Sequence, residues 1–221
     1  WNKHMSDLRS QYLSMIGITK WKLNTKPNPK ELIKEDKSND WEGLNEIVRK
    51  CAKCSLHKSR TQVVFGSGNK NAELLIIGEA PGSEEDKQGK PFVGRSGKLL
   101  DSMLKSINII RDEIFITNIL KCRPPDNRDP KEKEINSCRS FLINQIEMIN
   151  PKIILSLGRV ASQILLDSED AIGKIRGGEI FSDVIKKPIV ASYHPAYLLR
   201  NPTAKEKSWQ DLKIIKKILN T

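Results

Sequence analysis

What this 221-residue chain lacks narrows its options before any motif is read. No run approaches the roughly 20 apolar residues of a membrane-spanning helix. The N-terminus has no apolar core of the signal-peptide kind, and no amphipathic membrane-binding helix stands out. A cytoplasmic protein without a membrane partner is the expectation. Internal repeats and low-complexity tracts are missing as well. Cysteine is scarce, with four in the chain, and a reducing compartment does not use them for disulfides. Acidic residues are in deficit, 27 against 38 Lys and Arg, so the net charge is +11 and the pI about 9.5. That excess suggests a polyanionic partner, nucleic acid ahead of an anionic membrane, while a lysine-rich solvated surface is the bland alternative.

The length allows one substantial core plus an extension. Residues 1–45 combine an amphipathic piece, LRSQYLSMIGI, with the polar stretch NTKPNPKELIKEDKSND, which reads as a helix and a flexible linker peripheral to a catalytic domain over 46–221. From about residue 46 the apolar runs ELLIIG, EIFITN, KIILSLG and KPIVASYHP alternate with helical patterns such as SGKLLDSMLKSI and EKEINSCRSFLINQIEMI. Strands separated by helices predict right-handed crossovers and a parallel sheet covered on both faces, an α/β fold. GEAPG follows the first strand, Asn118 ends the second, Gly158 follows the third, and Tyr193-His194-Pro195 ends the fourth. All four lie at carboxyl ends, the rim where open α/β sheets bind ligands. Taken singly, Asn118 reads as a cap and His194 as a structural histidine; their convergence favours a site.

Cys51 and Cys54 form CAKC, Cys122 lies in KCRPP, and Cys138 follows sixteen positions later. The first spacing lets two thiolates face one metal centre. By spacing alone an iron–sulfur cluster, zinc and free buried cysteines all remain open, with the spread second pair favouring the larger group.

CAKCSLHKSRTQVVFGSGN, GEAPGSEEDKQGKPFVGRSGKLLD, ITNILKCRPPDNRDP, SLGRVA and SYHPAYLL occur in the order and near the spacing of the family 4 uracil-DNA glycosylases, which the chain resembles over about residues 44–215. The resemblance implies a three-layer α/β/α sandwich around a central four-stranded parallel sheet. It also implies a [4Fe-4S] cluster on Cys51, Cys54, Cys122 and Cys138, and removal of uracil from single- and double-stranded DNA by a monomer. A related branch that binds covalently to uracil-containing DNA carries a histidine in an inserted loop after the second strand; KCRPPDNRDPKEKE has none.

Carried onto this chain, the resemblance makes Phe92 the aromatic that stacks on a flipped base and Asn118 the amide that reads its edge. An amide can accept from N3–H and donate to O4 at once, which suits uracil and not cytosine. His194 is placed to hydrogen-bond uracil O2 as negative charge develops there. Glu79, with Glu85 or Asp86, supplies the carboxylate that favours a cationic sugar and orients water. In the best-known superfamily branch an aspartate stands where this chain has Ala80, so another group must serve. Main-chain groups of Gly78, Glu79 and Ala80 are expected to complete the uracil site, and the Gly82 and Glu85 region to exclude the thymine methyl. Arg95 and Ser96, with Gly158 and Arg159, are candidates for phosphate contacts. Tyr197, Leu198, Leu199 and Arg200 are candidates for a wedge into the duplex, or for an ordinary helix with one apolar face.

Readings of another class stay open on the sequence. One is a cluster-bearing protein that binds a damaged base without turnover; others are a glycosylase for a different deaminated base and a zinc-bearing nucleotide hydrolase.

Overall fold

The computed structural model describes residues 40–220. The extension expected over 1–45 lies outside the described residues up to position 39. Its last positions belong to helix α1 (Trp41–Lys50), where the Asp40 carboxylate accepts the Gly43 amide and Leu44 and Val48 are buried. Helix α1 thus runs across the boundary expected at 45/46, started by an aspartate cap and carrying an apolar stripe.

A six-stranded sheet follows: β1 (Ser67–Gly68), β2 (Leu74–Gly78), β3 (Phe115–Asn118), β4 (Ile153–Leu157), β5 (Glu179–Ser182) and β6 (Lys187–Ser192), in the order β1-β3-β2-β4-β6-β5. The four central strands are the four apolar runs of the sequence, and they are parallel. The expectation of four strands is corrected by two antiparallel edges. Ser67–Gly68 pairs with Ile116 and Phe115, and Glu179–Ser182 folds back on β6 as a hairpin. Neither edge strand carries the continuous apolar run of a central strand, so hydropathy left both unread.

Every residue of β2, β3 and β4 is buried. Side chains alternate strictly between two cores. Leu75, Ile77, Phe115, Ile154 and Ile189 pack with α1, α4 (Glu132–Ile149) and α5 (Arg159–Leu166). Leu74, Ile76, Ile116, Ile153, Leu155 and Val190 pack with α3 (Arg95–Lys105) and α8 (Lys205–Leu219). This is the three-layer arrangement, and each fully buried Leu or Ile contributes about 1.5–3 kcal/mol to it. Three shorter helices complete the body: α2 (Ser83–Gln88), α6 (Ile172–Ile175) and α7 (Pro195–Arg200).

From β2 the chain crosses to β3 on one side, then passes to β4 on the other. That reversal opens a crevice at the carboxyl ends of the strands.

Candidate active site and cysteine cluster

At that rim a cleft of about 620 Å³ is lined by the loops after β2, β3 and β6. Glu79, Ala80, Gly82, Glu85, Phe92, Arg95, Ser96, Asn118, His194 and Arg200 all line it, so most of the residues singled out in the sequence meet in one place.

The base of the cleft is set by a strand register. Gly78 of β2 pairs with Asn118 of β3, and a β-carbon on Gly78 would fall 2.4 Å from Asn118 Oδ1 and 2.7 Å from the Phe92 ring. Only glycine allows the amide and the ring to approach this backbone together. Asn118 is 2% exposed, and its Oδ1 is buried without a hydrogen-bond partner. The carbonyls of Gly78 and Glu79 accept the amides of Ile119 and Leu120 at 2.9 and 3.0 Å. Those two bonds tie the end of β2 to the segment that leaves β3.

Phe92 sits in the left-handed region at φ 52°, a costly conformation for a bulky residue unless its surroundings impose it. They do. Glu85 Oε1 accepts the amides of Val93 and Gly94, each at 2.9 Å. Arg111 donates to the Phe92 carbonyl at 2.9 Å, and also to the Pro91 carbonyl and to Asp101. Gly97 packs so close that a β-carbon there would meet the Phe92 carbonyl oxygen at 1.8 Å. Glu85 therefore lines the cleft mainly as the holder of the Phe92 turn. Asp86 is corrected outright: it is 4% exposed, does not line the cleft, and both its oxygens accept the Thr61 amide at 3.0 Å.

His194 caps α7, and its Nδ1 accepts the Ala196 amide at 3.1 Å. The neutral ring then carries its proton on Nε2. Burial first and the Arg200 charge second pull its pKa down to about 4, against a smaller opposing effect of Glu85. Its ring lies 5.6 Å from that of Phe92. Gly158 stands behind it at φ +92°, with a notional β-carbon 3.0 Å from His194 Cβ.

Glu79 is pushed up to about 7, chiefly by burial and then by the charge of Asp129, while Arg159 pulls the other way. Asp129 accepts from Arg159 at 2.7 Å. Arg159 is half exposed at the rim, outside the cleft lining.

Leu198 is corrected as a wedge candidate, since it is fully buried. Tyr197 and Leu199 are the exposed apolar side chains of α7, at 39% and 38%. Tyr197 is braced by a stack on Tyr193 at 5.0 Å.

Sequence reasoning missed Arg128 and Asp129, which line the cleft. Arg128 forks onto Glu134 at 2.9 and 2.6 Å and so anchors the loop between β3 and α4. The signal was available: PPDNRDP follows the carboxyl end of a strand already assigned to the rim.

The four cysteines form no disulfide and lie on one side of the sheet. Cys122 and Cys138 belong to the core beneath α1 and α4, and Cys51 and Cys54 pack against it. Burial raises the thiols of Cys54 and Cys122 and lifts that of Cys138 to about 12, with the charges of neighbouring cysteines adding to each rise. Arg60 donates to Cys122 Sγ at 3.1 Å. Among the described residues no three His, Cys, Asp or Glu side chains form a group that would hold a single metal ion. Four soft sulfur donors within electrostatic reach of one another suit a thiolate-held metal centre.

A family model described as the uracil DNA glycosylase superfamily matches residues 65–213. The type-4 uracil-DNA glycosylase of Archaeoglobus fulgidus is 44% identical to the chain, over 79% of it and 92% of that protein. The Thermotoga maritima protein of the same description is 45% identical, over 72% and 82%. That of Sulfurisphaera tokodaii is 43% identical, over 81% and 85%.

Proposed function

The chain belongs to the type-4 uracil-DNA glycosylases, and from that premise we propose that it removes uracil from DNA by hydrolysing the N-glycosidic bond, leaving an abasic site for base excision repair. One observation carries the reading at the level of this chain's own residues. A buried carboxamide oxygen, Asn118 Oδ1, faces a ligand-sized cleft with no partner, and an unpaired buried acceptor is costly unless a ligand donor meets it. Uracil N3–H is such a donor, and the amide nitrogen of the same side chain donates to O4.

The flipped base lies against Phe92, whose turn is locked before the base arrives. As the bond to the sugar lengthens, electrons move onto uracil O2. The His194 Nε2–H is the donor for that oxygen, and a neutral imidazole serves because the bond strengthens as charge develops. Positive charge grows on the sugar, and Glu79, ionised above about pH 7, offsets it and orients the water. Glu79 thus takes the part for which Ala80 has no side chain. Arg95, Ser96 and Arg200 line the same cleft and suit phosphates flanking the flipped nucleotide. The protein works as a monomer on single- and double-stranded DNA.

Cys51, Cys54, Cys122 and Cys138 hold a [4Fe-4S] cluster. When bound, it supplies iron–thiolate bonds that join the end of α1, the loop after β3 and helix α4. Iron analysis of the purified protein is expected to give about four irons per chain; zinc in their place would overturn this part.

The function itself is tested by incubating the protein with DNA containing a single uracil, single- and double-stranded, followed by alkaline strand cleavage. Cleavage at the uracil is expected. Intact strands in both forms would refute the proposal.

A further inference from the structure

The largest fully buried side chain in the described body belongs to a charged residue, Lys121, which is 1% exposed. Burying an ammonium is costly unless every proton on it finds an acceptor. Here each does. Nζ donates to Thr117 Oγ1 at 2.7 Å, to the main-chain carbonyl of Asn118 at 2.8 Å, and to Gln145 Oε1 at 2.6 Å. Two of these acceptors are themselves aimed at the lysine. The Thr117 hydroxyl and the Gln145 amide nitrogen both donate to the Phe65 carbonyl at 2.9 Å, which leaves their lone pairs toward Nζ.

The third acceptor gives the arrangement its consequence. The peptide unit between Asn118 and Ile119 is held at both ends: its N–H donates to the Gly78 carbonyl at 2.9 Å, and its carbonyl accepts from Lys121. Fixing that peptide plane fixes the direction in which the Asn118 side chain leaves the strand. The bond from Lys121 is shielded from water, so it resists rotation of the plane. A methionine would fill the same volume and make none of these bonds.

We propose that Lys121 is a positioning residue for base recognition, its side-chain amine clamping the Asn118 carbonyl so that the Asn118 carboxamide is set for the base before it enters the cleft. The proposal rests on the reading of Asn118 as the residue that meets the uracil edge. Lys121 does not line the cleft. It acts only through Asn118.

A double-mutant cycle separates this role from simple support of the fold. Single-turnover excision of uracil from DNA at saturating protein is measured for the full chain, for Lys121→Met, for Asn118→Ala and for the double variant. Lys121→Met is expected to slow excision about tenfold, a loss typical of removing a buried hydrogen bond, and to cost less than about twofold when Asn118 is already alanine. Gln145→Leu, which takes away an acceptor but leaves the bond to Asn118, is expected to lower the melting temperature and to spare the rate. Equal slowing by Lys121→Met in both backgrounds would overturn the proposal, as would an unchanged rate in folded Lys121→Met. If Asn118→Ala alone leaves the rate intact, the reading beneath the proposal fails first, and the two failures are told apart. Lys121→Gln, which keeps an amide donor in a similar volume, runs through the same cycle if Lys121→Met does not fold, with a smaller loss expected.

Discussion

Gly78 and Asn118 are register partners on adjacent parallel strands, and the space a Gly78 side chain would take is filled by the Asn118 carboxamide oxygen, 2.4 Å from the notional β-carbon. Gly78→Ala forces that oxygen, or the Phe92 ring behind it, to move. Excision by Gly78→Ala is expected to drop by about 10²-fold, since a displacement of about 1 Å in a positioned group has that cost. Single-turnover kinetics check this; a rate within twofold of the parent would show that the contact is not needed.

Glu79 and His194 in the cleft depart from their ordinary values in opposite directions, so their pH effects separate. Glu79, raised from 4.5 to about 7, must be ionised to act, so the excision rate is expected to rise as pH increases through about 7. Glu79→Gln should lose that limb along with about 10²-fold of rate. His194, lowered from 6.5 to about 4, stays neutral across the same range and adds no limb above about 4.

Stability follows with its own signs. The folded protein binds the Glu79 proton more tightly than the unfolded chain does, so that contribution is complete below 4.5 and lost as pH rises through about 7. The folded protein binds the His194 proton more weakly, so that contribution is present above 6.5 and lost as pH falls toward 4. Denaturant melts of Glu79→Gln and His194→Ala against pH check both slopes.

Neighbouring carboxylates on α2 have different tasks. Glu85 holds the amides of Val93 and Gly94 beside Phe92, while Asp86 holds the Thr61 amide away from the cleft. Glu85→Ala frees a left-handed phenylalanine and is expected to lower the excision rate about tenfold or more. Asp86→Ala takes the acceptor away from the Thr61 amide and should cost about 0.5–1.5 kcal/mol of stability with little change in rate for the folded fraction. Paired kinetic and melting measurements settle which carboxylate does which.

On α7, Leu199 is exposed beside the cleft and Leu198 is core. Leu199→Ala is expected to slow excision from duplex more than from single-stranded DNA, because only the duplex has a stack to fill. Leu198→Ala should instead destabilise by about 2–5 kcal/mol. Equal losses of rate on both DNA forms for Leu199→Ala would remove the wedge.

The four central strands were legible because each is buried on both faces and so is written as an unbroken apolar run, as in LLIIG and IILSL. The edge strands were not: Ser67–Gly68 has two residues, and Glu179–Ser182 exposes Glu179 and Phe181. The cleft residues could be read because Asn118 and His194 interrupt apolar segments at strand ends. What sequence could not convey was orientation. Asp86 and Glu85 are adjacent in a run of three acids, yet the rotation of about 100° between neighbouring helical residues sends them to different faces. Leu198 and Leu199 divide in the same way. Lys121 looked like one more surface lysine among many, and only the fold reveals that its amine is enclosed.

The most direct measurement is release of free uracil from single-uracil DNA under single turnover, comparing the parent chain with Asn118→Ala at equal iron content. The parent is expected to release one uracil per strand and leave an alkali-labile site, with Asn118→Ala slower by about 10²-fold. No uracil from the parent, or equal rates from the two, would contradict the assignment of the buried Asn118 oxygen as the reader of the base.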